Sequence, residues 1–219
     1  MTDIKGDYNY VSAVYSVPDI HLPSGETHVS WTIPHVGLDA IGKECNNFLV
    51  AGITADIKDG VREYRGMYAS CVLMIICISH RCTGLLATYQ WSEGFVRTFE
   101  GITFGPYDEL EFSVRAINRT AGVVSVSKNS GDQHKEVSLS FPNAPLCLAR
   151  PHWLVYARES VAIPNFGLVS FTNAKARFVN GTEVGPTAHG VEVVNIRRGA
   201  EVYTETGLGL SSVSVRYTL

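Results

Sequence analysis

Hydrophobic and polar positions alternate along this chain in short runs separated by Pro, Gly, Asn and Asp. The clearest run is 109–117, where Leu110, Phe112, Val114 and Ala116 fall on one face of a two-residue period and predict a half-buried strand. Runs rich in β-branched and aromatic residues predict further strands over 8–17, 28–38, 48–57, 61–68, 71–78, 85–91, 96–104, 123–128, 136–141, 152–157, 167–171, 191–196 and 213–217. Pro34 interrupts the second of these. Gly52, inside 48–57, predicts a bulge or a close backbone approach. Lys58-Asp59-Gly60 predicts a hairpin turn, and Gly207 and Gly209 are expected in a turn between strands. No segment carries a sustained helical period. Short strands at intervals of roughly ten residues predict an all-β sandwich or barrel. With no internal repeat, low-complexity tract or linker, residues 1–219 read as one domain.

Composition narrows this picture. The longest uncharged apolar run, 71–78, is far short of the roughly 20 residues of a spanning helix, so it reads as a core strand and no membrane partner is expected. A formal charge of −3 gives no basic field, so no nucleic-acid partner is expected either. The first fifteen residues carry charges and tyrosines and no apolar signal region. Two localisations stay open: a secretory route with the leader removed, or the cytoplasm. Asn118-Arg119-Thr120 and Asn180-Gly181-Thr182 are glycosylation sequons if the chain is secretory. Five cysteines leave at least one free or paired with another chain, so a homo-oligomer stays open. Cys77 and Cys82, with His80 between them, fit a hairpin disulfide or buried thiols better than a metal site. There is no phosphate-binding glycine loop and no G-x-S-x-G elbow, and neither metal nor cofactor is expected. His152, between Pro151 and Trp153, reads on its own as a hydrogen-bonded structural residue. From residues alone the chain is an all-β domain with an aromatic-rich interior.

A resemblance adds to this. Pro164-Asn165-Phe166-Gly167-Leu168-Val169-Ser170-Phe171-Thr172-Asn173-Ala174, Gly181-Thr182-Glu183-Val184-Gly185-Pro186, Tyr203-Thr204-Glu205-Thr206 and Val213-Ser214-Val215-Arg216-Tyr217 resemble segments of the fungal glutamic peptidases, the eqolisin or G1 family. Upstream, Val36-Gly37-Leu38-Asp39 is similar to the family's V-G-I-D-G stretch and Thr88-Tyr89-Gln90-Trp91 to its W-Y-E-W segment. The similarity runs from about Tyr10 to the end, interrupted by extra residues around 66–86. It implies an antiparallel two-sheet bent β-sandwich, a concanavalin-like jelly roll, with a cleft on one face. It also implies a disulfide between Cys45 and Cys147.

The family's chemistry rests on one Gln and one Glu. Its L-Q-T-G-V segment reads Leu49-Val50-Ala51-Gly52-Ile53 here, so Val50 holds the Gln position. Its A-E-W-I-V segment reads Pro151-His152-Trp153-Leu154-Val155, so His152 holds the Glu position. A cleft Trp is matched by His35, and a further acidic position by Tyr156. Valine neither donates nor accepts, so the family's oxyanion contact is lost, and peptide hydrolysis by that route is not expected. The resemblance therefore implies a cleft lined by Val50, His35, Trp91, Trp153, Tyr156 and Asp39, less acidic and more apolar than a peptidase's, which suits an apolar small-molecule substrate. The expectation is a cofactor-independent enzyme of fungal secondary metabolism, a pericyclase joining a tropolone quinone methide to a terpene alkene by hetero-Diels-Alder cycloaddition. His152, Tyr89 and Gln90 are its candidate hydrogen-bond donors. The alternative is a dead peptidase homologue that binds peptides or glycans.

Overall fold

A computed structural model describes residues 7–39, 47–58, 60–72, 96–130, 133–143, 145–156 and 162–219. Among them the chain forms β1 (Tyr8–Ser16), β2 (His28–Asp39), β3 (Asn47–Lys58), β4 (Val61–Val72), β5 (Val96–Thr98), β6 (Glu109–Asn118), β7 (Ala121–Lys128), β8 (His134–Ser140), β9 (Pro151–Leu154), β10 (Leu168–Phe178), β11 (Glu183–Val184), β12 (Arg197–Arg198), β13 (Glu201–Val202), β14 (Thr204–Gly209) and β15 (Ser212–Tyr217). An eight-stranded sheet runs β14-β15-β10-β1-β6-β7-β8, with β11 beside β10, and a five-stranded sheet runs β5-β4-β3-β2-β9. Every pairing between these strands is antiparallel. The expected all-β sandwich is the fold.

The two sheets meet over one core. Val11, Ala13 and Tyr15 of β1, Leu110, Phe112 and Val114 of β6, and Val169 and Phe171 of β10 are buried with Val36 and Leu38 of β2 and Leu49, Ala51 and Ile53 of β3. β6 shows the alternation expected of it: Leu110, Phe112, Val114 and Ala116 are all buried. Tyr15 stacks on Phe112, with ring centroids 5.2 Å apart.

Pro34 does not end β2; it bulges it. Thr32 pairs with Thr54 but His35 pairs with Gly52, so two residues of β2 face one of β3. Proline brings no N–H to a ladder, and a bulge is where a strand tolerates it. The displaced Pro34 carbonyl accepts a buried hydrogen bond from the Tyr15 hydroxyl at 2.8 Å. This extra residue sets the faces of everything after it, because side chains alternate with a period of two. Beyond the bulge, Val36 and Leu38 point into the core, while His35 and Gly37 lie on the opposite face. Gly52 makes the close approach its sequence position suggests: a methyl group there would sit 2.5 Å from both the His35 Cβ and the Pro34 carbonyl oxygen.

Three expectations are corrected. Residues 191–196 form no strand; Val191, Val193 and Val194 are exposed, and the segment is tied down by Ile196 N–H donating to Thr204 Oγ1 and Thr206 Oγ1 donating to Asn195 Oδ1. Gly207 and Gly209 are not in a turn but within β14, where Ser214 and Ser212 hydroxyls of β15 occupy the space their missing side chains leave. The strand expected over 96–104 stops at Thr98, ahead of a turn at Glu100 and Gly101. The expected strand 85–91 and most of 71–78 lie outside the described residues.

Candidate functional site

The core-facing side of the five-stranded sheet is filled, so the chemistry lies on its other face. Strand register brings the key positions together. Gly37 of β2 pairs with Val50 of β3 on one side and with His152 of β9 on the other. Directly opposed residues of an antiparallel pair project from the same face. Val50 and His152, distant in sequence, therefore flank one glycine. A methyl group on Gly37 would lie 2.5 Å from Val50 Cγ1 and 2.6 Å from both Cε1 and Nε2 of His152. The two side chains close over the glycine.

The face is buried and mostly apolar. Val50 is 2% exposed, Met67 2% and Phe48 7%, and none of the three belongs to the main core cluster. Met67 lies on this face because it pairs with Gly52. His35 joins from β2: its ring stands edge-on to that of His152, with centroids 5.5 Å apart and planes at 88°. His35 is 5% exposed and His152 8%.

His152 is the unusual group. Burial, and secondarily the neighbouring His35, push its pKa down from 6.5 to about 3. The Asp39 main chain pulls the other way, but at a geometry short of a formed bond, since neither Nδ1 nor Nε2 has a hydrogen-bond partner. At neutral pH His152 is thus an uncharged imidazole with one N–H to donate and one lone pair to offer.

The other expected site residues are distributed differently. Trp153 pairs with Val36 and so faces the sandwich interior, where its Nε1 donates to the Ser12 carbonyl at 2.9 Å. Strand alternation alone puts it on the face away from its neighbour His152, so it anchors the sheet and does not line the cleft. Asp39 is 1% exposed, and its carboxylate accepts from the N–H groups of Leu148, Ala149 and Arg150. Its role is to clamp the chain that enters β9, which sets where His152 starts; the carboxylate has no free face for a ligand. Tyr156 follows β9 and is half-buried. Tyr89, Gln90, Trp91 and Cys45 lie outside the described residues. Cys147 is disulfide-bonded. Among the described residues no cluster of three or more His, Cys, Asp or Glu could hold a metal.

Gly37, Phe48 and Met67 were not singled out as site residues by sequence reasoning. The signal was available for two of them. Phe48, Val50 and Gly52 share a face by a period of two, and Gly37 precedes Leu38 in a strand that must bury Leu38. Met67 needed the β3–β4 register. Gly37→Ala should cost about 1–3 kcal/mol of stability by overpacking. Adding Val50→Ala should recover only part of that, because it removes one of the two colliding groups and leaves the His152 ring. Urea denaturation of the single and double variants checks this; an unchanged midpoint in Gly37→Ala would show that the two side chains do not meet there.

This arrangement has relatives. A family model described as the peptidase A4 family matches residues 74–217, a span that includes His152 but not Val50. Aspergillopepsin-2 of Aspergillus niger is 30% identical over 146 residues, 64% of this chain and 51% of that protein, so the chain spans about half the length of this curated relative. Scytalido-glutamic peptidase, solved with a transition-state analog inhibitor, matches with a TM-score of 0.71 at 20% identity, over 98% of this chain and 95% of that one. Aspergilloglutamic peptidase from Aspergillus niger matches with a TM-score of 0.67 at 25% identity, over 88% and 100%. SCP-B, an eqolisin solved with the tripeptide Ala-Ile-His, matches with a TM-score of 0.70 at 21% identity, over 98% and 94%. A two-sheet fold shared along nearly the whole chain, together with a family match over most of it, shows that the chain belongs to the peptidase A4 family.

Proposed function

We propose that this family member does not cleave peptides and instead binds an apolar small molecule on the Gly37 face, where it promotes a cofactor-independent cyclisation. The observation that carries this is the pair that closes over Gly37. Hydrolysis needs a group to activate water and a donor for the oxyanion. Val50 has no polar atom to donate. An imidazole with a pKa near 3 is a weak base at neutral pH.

The same pair suits another task. A mostly apolar face that carries one neutral hydrogen-bonding ring matches a ligand that is mostly hydrocarbon with one carbonyl or phenolic oxygen. The reaction we favour is hetero-Diels-Alder cycloaddition of a tropolone quinone methide with a terpene alkene. Two σ bonds form from three π bonds, one new π bond remains, and no proton, electron pair or leaving group departs. Such a reaction asks the protein for orientation and for a donor to the heterodiene carbonyl, on whose oxygen charge builds. The neutral N–H of His152 is that donor.

The test mixes purified protein with a quinone-methide precursor and a terpene alkene and follows products by mass spectrometry, with casein peptides and glycans as parallel ligands. The expected result is faster formation of one cyclised adduct, slowed about a hundredfold in His152→Leu, the typical cost of one lost transition-state donor. Peptide cleavage, or peptide or glycan binding with no adduct, would overturn this reading.

A further inference from the structure

We infer that Asn118 and Asn180 carry N-linked glycans, both on hairpin tips of the eight-stranded sheet. Each begins an Asn-x-Thr triplet, and the fold puts both triplets where a bulky sugar can stand. Asn118 ends β6 and pairs with Ala121, so Arg119 and Thr120 make the turn into β7. Asn180 lies in the turn from β10 to β11, beside Gly181 at φ 90°. Both asparagines are exposed.

The two turns share a local geometry. Asn118 Oδ1 accepts from Thr120 N–H at 2.8 Å and from Thr120 Oγ1 at 3.1 Å. Asn180 Oδ1 accepts from Thr182 N–H at 2.9 Å. In each case the turn uses the amide oxygen and leaves Nδ2, the atom that bonds to sugar, without a protein partner. Each asparagine also follows an exposed large apolar residue: Ile117 is 61% exposed and Val179 60%. A core N-acetylglucosamine on the adjacent residue would cover that apolar surface with the C–H face of its ring.

An independent observation points to the compartment. Cys147 is disulfide-bonded, and disulfides persist in oxidising, secretory environments, where N-glycans are added. In the step itself, Nδ2 loses a proton and bonds to the anomeric carbon of an oligosaccharide delivered on a polyprenyl diphosphate, which leaves. Neither tip is on the sheet that carries the Gly37 face, so this inference stands apart from the proposed function.

The test is expression of the whole chain behind a secretory leader in a eukaryotic host, with intact mass measured before and after peptide N-glycosidase. Two glycan-sized mass steps are expected, with aspartate appearing at 118 and 180 after enzyme treatment. Thr120→Ala and Thr182→Ala should each remove one step while keeping the asparagine. A secreted chain with Cys147 oxidised and no glycan would overturn the inference, and one step in place of two would overturn it at the tip left bare.

Discussion

Between pH 7 and pH 4 this protein should lose about 3 kcal/mol of folding stability through His152 alone. Burial first, and His35 second, hold the folded-state pKa of this ring at about 3, against an ordinary 6.5. In the unfolded chain the ring takes up a proton as pH falls through 6.5; in the folded chain it stays neutral. The unfolded state therefore binds more protons throughout this window, and stability falls by about 1.4 kcal/mol for each pH unit. The contribution is fully present above about pH 6.5, is lost progressively as pH falls, and stops changing below about pH 3. Other groups add to acid loss, among them Asp108, whose carboxyl is held below its usual range by hydrogen bonds from Lys128 and Gly105. His152→Leu isolates the ring, because leucine fills similar space and has nothing to protonate. The drop in urea-unfolding free energy from pH 7 to pH 4 should be about 3 kcal/mol smaller in the variant. Equal acid losses in the two proteins would mean that the folded ring takes up a proton as readily as the unfolded one, and that burial does not hold it neutral below pH 6.5.

Asp39→Ala should cost about 3–5 kcal/mol, and should move His152 as well as weaken the fold. The Asp39 carboxylate holds three consecutive main-chain N–H groups, from Leu148 and Ala149 at 2.8 Å and from Arg150 at 3.3 Å. Removing it leaves the buried Leu148 N–H unsatisfied, a loss of about 1–3 kcal/mol, and takes an acceptor from the part-buried N–H groups of Ala149 and Arg150, which solvent replaces in part. A second cost is conformational. Asp39 has φ 67°, a left-handed geometry that Asp and Asn reach more easily than Ala. Asp39→Asn keeps one acceptor oxygen and that backbone tolerance, so it should lose clearly less than the alanine variant. The chain held by Asp39 leads straight into β9, so loosening it frees the entry to His152. Denaturation midpoints and the histidine ring NMR signals of the two variants check this. Alanine and asparagine variants of equal stability would show that the carboxylate clamp is not what holds the 148–150 segment.

Much of the fold was legible in the sequence. Strands such as β6 are written as a strict two-residue alternation over enough residues to exclude a helix. The misreadings have physical causes. Residues 191–196 have strand composition but no neighbouring ladder to join, and composition cannot supply a partner. β14 was hidden because Gly207 and Gly209 carry no side chain to show an alternation, and its evidence is the serines opposite them on β15.

The site divides in the same way. That position 50 offers no hydrogen-bonding atom follows from its being valine, whatever the fold. That position 152 offers an imidazole follows from the sequence, and that it stands where the glutamic peptidases keep a carboxylate is what the resemblance implies. Other properties belong to tertiary structure alone. One extra residue at Pro34 turns Val36 and Leu38 inward and His35 and Gly37 outward, and a local pattern that reads only loosely does not reveal it. The pairing of β2 with β9 brings residue 152 beside residue 37, a contact across more than a hundred residues of chain. Burial beside a second histidine then makes the ring neutral, because the energy of a charge depends on its surroundings and the sequence names only the group.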